Sequence, residues 1–210
     1  NLNVRYEFVF SCRYEGQVML VMEPGSIEGD WTLHVNDRAI DASDLWPVAA
    51  HVRGSLGLDV SEALVQGENR IRVDVVTDRM DAGLLNPLYL AGDFGVALDP
   101  VRLLPRPAQG TFEDYEGNLL PYYAGVIEYQ TPFALADVPA VDEVVLSLTY
   151  PVPFHEATEI AVNGGPYQPV LWQPRCVRVP ASQLRAGENV LHTRVYTTQI
   201  RAFEGQWFDY

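Results

Sequence analysis

In this chain of 210 residues, 28 acidic side chains outnumber 14 basic ones for a formal charge of -14, which repels a phosphate backbone and argues against nucleic acid as a partner. A hydrophobic share of 48% beside 20% charged residues is the balance of a folded soluble chain, and no apolar run approaches the ~20 residues of a membrane span. The length suits either one large all-β domain or two of about 100 residues, each able to bury its own core.

Residues 4–10 (VRYEFVF) open the chain as a strand, and 13–17 make a turn. The run VMLVM at 18–22 is apolar throughout, as a central strand is. A Pro and two Gly mark 23–29 as a loop, and 31–36 (WTLHVN) returns to a strand. Residues 41–54 carry Trp46-Pro47, His51 and Arg53 with no helical period across the proline, so they are a long loop or an irregular edge. Residues 58–76 (LDVSEALVQGENRIRVDVV) then hold a short turn ending at Leu64, the triplet Gly67-Glu68-Asn69, and a strand in which Ile71, Val73 and Val75 share one face and Arg70, Arg72 and Asp74 the other. Beyond a polar stretch at 77–83, residues 87–98 (PLYLAGDFGVAL) read as a strand broken by a Gly-Asp turn. Residues 101–110, with two prolines and a glycine, read as a linker.

After an acidic, turn-rich segment at 112–120, much of this order recurs. Residues 126–133 take the place of the first strand, 144–148 (VVLSL) answer 18–22, and 159–163 (EIAVN) answer 31–36. Residues 179–196 (VPASQLRAGENVLHTRVY) repeat the turn ending in Leu, the Gly-Glu-Asn triplet and the alternating strand. Gly67 and Gly187 suit a turn needing positive φ, and Asn69 and Asn189 can bond local backbone. Asn163-Gly164 is a strong hairpin signal and Asn36-Asp37 a weaker one. The interval from Asn36 to Gly67 is 31 residues and that from Asn163 to Gly187 is 24, so the second copy has the shorter loop. Trp172 stands nine residues after its Asn, close to the place of Trp46.

No segment keeps a helical period over its length, and strands recur at short spacing between turn residues, which is the pattern of an all-β sandwich. The repeat points to two tandem jelly-roll β-sandwiches, with the first domain over residues 1–105 and the second over 106–210. Cys12 and Cys176 occupy unrelated positions in the two copies and are expected to be unpaired. The sequence opens without the charged and apolar regions of a signal peptide and reads as a piece of a longer chain.

A strand ending in Val-Asn, a loop, a turn ending in Leu, then Gly-Glu-Asn and an alternating strand resembles the galactose-binding-like jelly roll, the sugar-binding module of family 2 glycoside hydrolases. With NPLYLAGDFGV at 86–96, PYYAGVIEY at 121–129 and VLWQPR at 170–175 in that order, most of the chain is similar to the C-terminal region of bacterial glycoside hydrolases of the α-L-rhamnosidase type. The resemblance implies that the catalytic acid and base belong to a barrel domain upstream in the same polypeptide, and that this region is not itself an enzyme. It implies a bracing role, with saccharide as a further partner. An autonomous carbohydrate-binding module and an adhesion or protein-interaction module are the alternatives.

Loop carboxylates are many, among them Glu113, Asp114, Glu116, Glu156, Glu204 and Asp209, and in so acidic a chain the simplest reading is a solvated surface. His34, His51, His155 and His192 lack the spacing of a zinc site; His34 and His192 read as surface residues on the polar faces of their strands. No cofactor is implied, although a loop-held structural calcium is compatible with this fold class, with no ligands readable. Aromatics give the one positive signal. Tyr122, Tyr123, Trp172 and Arg175 could form a saccharide platform, their rings packing on sugar C–H faces; against this, Trp46 and Trp172 more simply plug matching core positions. At the C-terminal end Phe203, Trp207, Phe208 and Tyr210 are expected to fold back onto the second sandwich or into the seam between domains, with Trp207 buried.

Overall fold

The computed structural model describes residues 2–112, 114–150 and 156–204, with Phe203 and Glu204 as backbone only. The described chain is almost entirely β, and none of its helices is long and apolar enough to cross a membrane. It forms two compact units, one of Asn1–Gly110 with Glu116–Leu120 and the other of Thr111–Tyr115 with Pro121–Tyr210.

The first unit contains strands β1 (Leu2–Cys12), β2 (Val18–Met22), β3 (Ile27–Glu28), β4 (Asp30–Val35), β5 (Arg38–Ile40), β6 (Trp46–Pro47), β7 (Leu56–Asp59), β8 (Gly67–Thr77), β9 (Gly83–Leu84), β10 (Leu88–Gly92), β11 (Phe94–Leu98) and β12 (Val101–Pro105). Six of them make one sheet in the order β11-β12-β1-β8-β4-β5, and four make a second in the order β10-β2-β7-β6. Inward side chains of both sheets, including Phe10, Val18, Leu20, Leu33, Leu58 and Val73, form one core, which defines a sandwich. β8 alternates as its sequence requires, with Asn69, Ile71, Val73, Val75 and Thr77 buried. β2 is buried at four of its five positions and lies between β10 and β7 in its sheet.

Two stretches depart from expectation. Residues 101–105, within the stretch read as a linker, form β12, which runs parallel to β1 through Ser11↔Arg102 and Cys12↔Leu103 and buries Leu103. Proline is tolerated there because Pro105 is the strand's last residue. The broken strand at 87–98 is two strands of different sheets, β10 on β2 and β11 on β12. The chain changes sheet at Gly92, where a Cβ would lie 2.5 Å from the Gln17 carbonyl oxygen.

The second unit contains β13 (Val126–Leu135), β14 (Glu143–Ser147), β15 (Ala157–Val162), β16 (Gln168–Val170), β17 (Cys176–Pro180), β18 (Gly187–Tyr196) and a short helix α1 (Gln199–Glu204). Its larger sheet is β13-β18-β15-β16, and β14 pairs with β17 in a smaller one. Ile160, Val162, Val170, Val177, Val179 and Leu184 form the core between them. The pairing of β13 with β18 keeps the register of β1 with β8: Phe10↔Asn69 and Cys12↔Gly67 in one, Phe133↔Asn189 and Leu135↔Gly187 in the other.

The Gly-Glu-Asn triplets do the same work in both units. Gly67 and Gly187 take φ of 103° and 87°, a region that side chains other than glycine's disfavour. Asn69 and Asn189 are each 1% exposed. The Asn69 amide donates to the Val65 and Gly67 carbonyls at 2.8 and 2.9 Å, while its oxygen accepts from Val65 N and from Asn36 Nδ2, both at 2.8 Å. Asn36, itself at φ 53°, also donates to Ala63 O and accepts from Arg70 N. Asn189 repeats the set with Arg185, Gly187 and Asn163, and Asn163 with Gln183 and Val190. Each pair of amides thus ties a hairpin turn, a one-turn 3-10 helix (Ser61–Ala63 or Ala181–Gln183) and the start of the long strand into one satisfied polar knot.

Candidate functional site

In the larger sheet of the second unit, β13 begins at Val126 and β15 at Ala157, both opposite Tyr196, the last residue of β18; β16 ends at Val170 opposite Thr158. Loops 121–125 and 171–175 therefore leave the same end of the sheet. All four predicted saccharide-contact residues stand on these two loops. Thr197 pins the first of them, donating its amide to Gly125 O at 2.9 Å and accepting Gly125 N at 2.8 Å. The Thr197 hydroxyl lies 2.9 Å from the Tyr123 carbonyl. Tyr123 is half-buried and donates its hydroxyl to Val126 O at 3.2 Å, whereas Tyr122 is exposed.

On the second loop Trp172 is 80% exposed and its neighbour Leu171 58%. Trp46 in the first unit is also exposed, at 44%. The tryptophans therefore do not plug matching core positions. β6 holds Trp46 on a two-residue edge strand, and Trp172 follows the end of β16 where no strand carries it inward. Arg175 is half-buried, its guanidinium 4.9 Å from the centre of the Tyr150 ring, a cation–π contact that fixes the base of the loop. Phe112 stacks on the other ring contact of that shelf, 5.7 Å from Tyr150 and 4.9 Å edge-on from Tyr129. Tyr150 also meets the Thr158 hydroxyl at 2.9 Å. This end of the sheet exposes Trp172, Leu171 and Tyr122, apolar side chains suited to the C–H face of a ring and to apolar contact generally.

The carboxylates divide by environment. Glu156 is not on the solvated surface: it is buried, and its Oε1 accepts from Arg201 Nη2 at 3.1 Å. Arg201 is buried too and stacks 3.8 Å from the centre of the Tyr115 ring. A charge withdrawn from water requires such a partner, so the pair ties α1 to the start of β15 and to Tyr115. Glu113, His155 and Asp209 lie outside the described residues, as do Trp207, Phe208, Tyr210 and the side chains of Phe203 and Glu204.

Two further titratable groups of residues were not legible in the sequence. In the first unit Glu23 Oε1 lies 2.9 Å from His51 Nε2 and accepts from Tyr89 OH at 3.1 Å. The His51 bond, and secondarily that of Tyr89, holds the Glu23 carboxyl below its ordinary range. In the second unit His192 lies on the outer face, as expected, but half-buried, with its Nδ1 3.3 Å from Glu128. Arg194 donates to the same carboxylate at 3.1 Å and caps the Tyr167 ring at 3.6 Å; these bonds, Arg194's first, hold Glu128 below the usual carboxylate range. Cys12 is free and buried, and Cys176 free and exposed. Among the described residues no three His, Cys, Asp or Glu side chains group as a metal site.

No protein-family model and no curated protein matches the chain. Among solved structures it is similar to a β-D-mannosidase from Dictyoglomus thermophilum, at 15% identity and a TM-score of 0.32, covering 94% of this chain and 24% of that one. It is also similar to a rhamnosidase from Novosphingobium sp. PP1Y, at 15% identity and a TM-score of 0.34, covering 86% of this chain and 17% of that one.

Proposed function

We propose that this chain is a non-catalytic accessory region of a glycoside hydrolase, two copies of a galactose-binding-like sandwich that brace a catalytic domain lying upstream in the same polypeptide. The sequence motifs support it by their resemblance, in number and order, to such regions. The observation that carries the reading is the fate of those motifs. The asparagines of both Gly-Glu-Asn triplets and their Asn partners are consumed in knots that hold the fold, and Glu156 is consumed in an ion pair, while Trp172 and Leu171 are left for contact with something outside the unit.

The experiment is an assay of the isolated chain on aryl glycosides, aryl rhamnosides included, with no turnover expected. Turnover abolished by replacing any one carboxylate of this chain would overturn the reading.

The exposure of Trp172 favours a second reading, an autonomous carbohydrate-binding module with Tyr122, Tyr123, Trp172 and Arg175 as its platform. That module would bind a saccharide in isolation at micromolar to millimolar Kd, about 4 to 8 kcal/mol, and Trp172→Ala would abolish the calorimetric signal without moving the melting temperature. The bracing reading expects flat titrations for both proteins.

A further inference from the structure

On the outer face of the second unit's larger sheet, one carboxylate gathers partners from across the width of the sheet. Glu128 stands on β13, the first strand in the order β13-β18-β15-β16. It lies directly opposite Arg194 of β18, which in turn lies opposite Glu159 of β15. Arg194 Nε donates to Glu128 Oε2 at 3.1 Å, and His192 Nδ1 is 3.3 Å from Oε1. Tyr167, which leads into β16, has the Arg194 guanidinium 3.6 Å from the centre of its ring, and its hydroxyl bonds the same Glu128 carboxylate. Between these partners β15 presents only the methyl group of Ala161, opposite His192. Glu159, beyond Arg194, takes the Tyr196 hydroxyl at 2.6 Å. At the matching positions of the first unit Arg5 of β1 bonds Asp74 of the adjacent β8, and Ala39 stands where Tyr167 does.

The strand that carries Glu128 is anchored unevenly. Phe133 and Leu135 pack its second half on the core, and Pro132, between the halves, has no amide to donate. No residue of the first half is fully buried, and its inner face contributes Tyr129, edge-on to Phe112. We propose that Glu128 is the pin of an acid-opened clasp: while ionised it ties residues 126–131 of β13 to β18 and to the start of β16 together, and its protonation lets that half of the strand open. A protonated carboxyl keeps an oxygen that can accept but loses the charge that makes the bonds from a guanidinium, a phenol and an imidazole strong. Those three donors, Arg194 first, hold the folded carboxyl below its ordinary range. The tie is therefore complete above the unfolded pKa and is lost as pH falls through the folded one.

Hydrogen exchange on the full chain, corrected for the intrinsic effect of pH, tests this with three substitutions. Glu128→Gln removes the charge and keeps the shape. It is expected to speed exchange of the 126–131 amides about tenfold at neutral pH, the loss of one bond to a charged group, while β15 and β8 keep their rates. Tyr167→Phe keeps the ring against Arg194 and takes away only the hydroxyl at the far side of the sheet; about a threefold rise in the same amides is expected. Glu159→Gln removes a carboxylate of the same face and should leave them unchanged. As pH falls from about 7 to about 3, across the carboxylate range, the parent's 126–131 amides should speed up before those of β15, and the Glu128→Gln chain should lack that step. Parent rates in Glu128→Gln or in Tyr167→Phe would overturn the proposal. So would an equal response to Glu159→Gln, or a rise shared by every strand.

Discussion

At the scale of single residues, the fold turns on four asparagines. Each buried member, Asn69 or Asn189, uses both amide hydrogens and accepts two further bonds. Truncating one leaves several groups without partners in a place water does not reach. With a net value near 1 kcal/mol for each bond and about 1 to 3 kcal/mol for each orphaned buried group, Asn69→Ala or Asn189→Ala should cost about 3 kcal/mol, read as a lower denaturation midpoint at unchanged slope. An unchanged midpoint would show that the knot holds nothing. Half of this was readable in advance. The Gly-Glu-Asn triplet announces a left-handed glycine and an asparagine that bonds nearby backbone, because those bonds span only two to four residues. The partnership of Asn69 with Asn36, 33 residues away, was not readable, since nothing in a local window pairs two amides. The exposure of Trp172 was misjudged for a related reason: similar sequence distance from an asparagine does not give a similar side-chain direction when the intervening loops differ.

At the scale of elements, alternation located the long strands and composition located β2. It failed for β3, β6 and β9, since a two-residue strand carries no period and owes its existence to the partner that it meets. The junction of β7 with the following 3-10 turn shows how such pieces are fastened. Asp59 accepts from the amide and hydroxyl of Ser61 at 3.0 and 2.6 Å and from Gln17 at 2.9 Å, and the Ser61 oxygen accepts Val18 N at 2.9 Å. These bonds, the Ser61 hydroxyl's first, hold the Asp59 carboxyl below its ordinary value. A carboxyl more acidic in the folded than in the unfolded chain contributes stability that is complete above its unfolded pKa and fades as pH falls through the folded one. Asp59→Asn should therefore melt lower than the parent at neutral pH, by about 1 kcal/mol, and the two melting curves should converge in acid. A gap that persists undiminished in acid would exclude the carboxylate as its source.

At the scale of the whole molecule, the β-sandwich class was legible because turn signals recur at short spacing between strands. The path of the chain between its two compact units was not. Residues 111–115 belong with the second unit and 116–120 with the first. Leu119 takes Val96 N on its carbonyl at 2.7 Å and lies against Gly95, whereas Phe112 and Tyr115 supply rings to the second unit. A proline-marked linker predicts one crossing, and nothing in the local composition of 111–120 distinguishes its two halves. A fragment ending at Pro105 should consequently melt several degrees below one ending at Leu120, as the loss of a few kcal/mol does in a domain of this size; equal melting would mean that 116–120 add nothing.

That crossing also governs how the molecule can be taken apart by heredity or by digestion. A gene fusion that moves either sandwich to a new host protein, or a protease that nicks the exposed residues near 110, makes one break, and wherever in 111–120 it falls one partner keeps a strip belonging to the other or loses its own. The pair is therefore expected to be inherited and degraded as a single object, although each half has a core of its own.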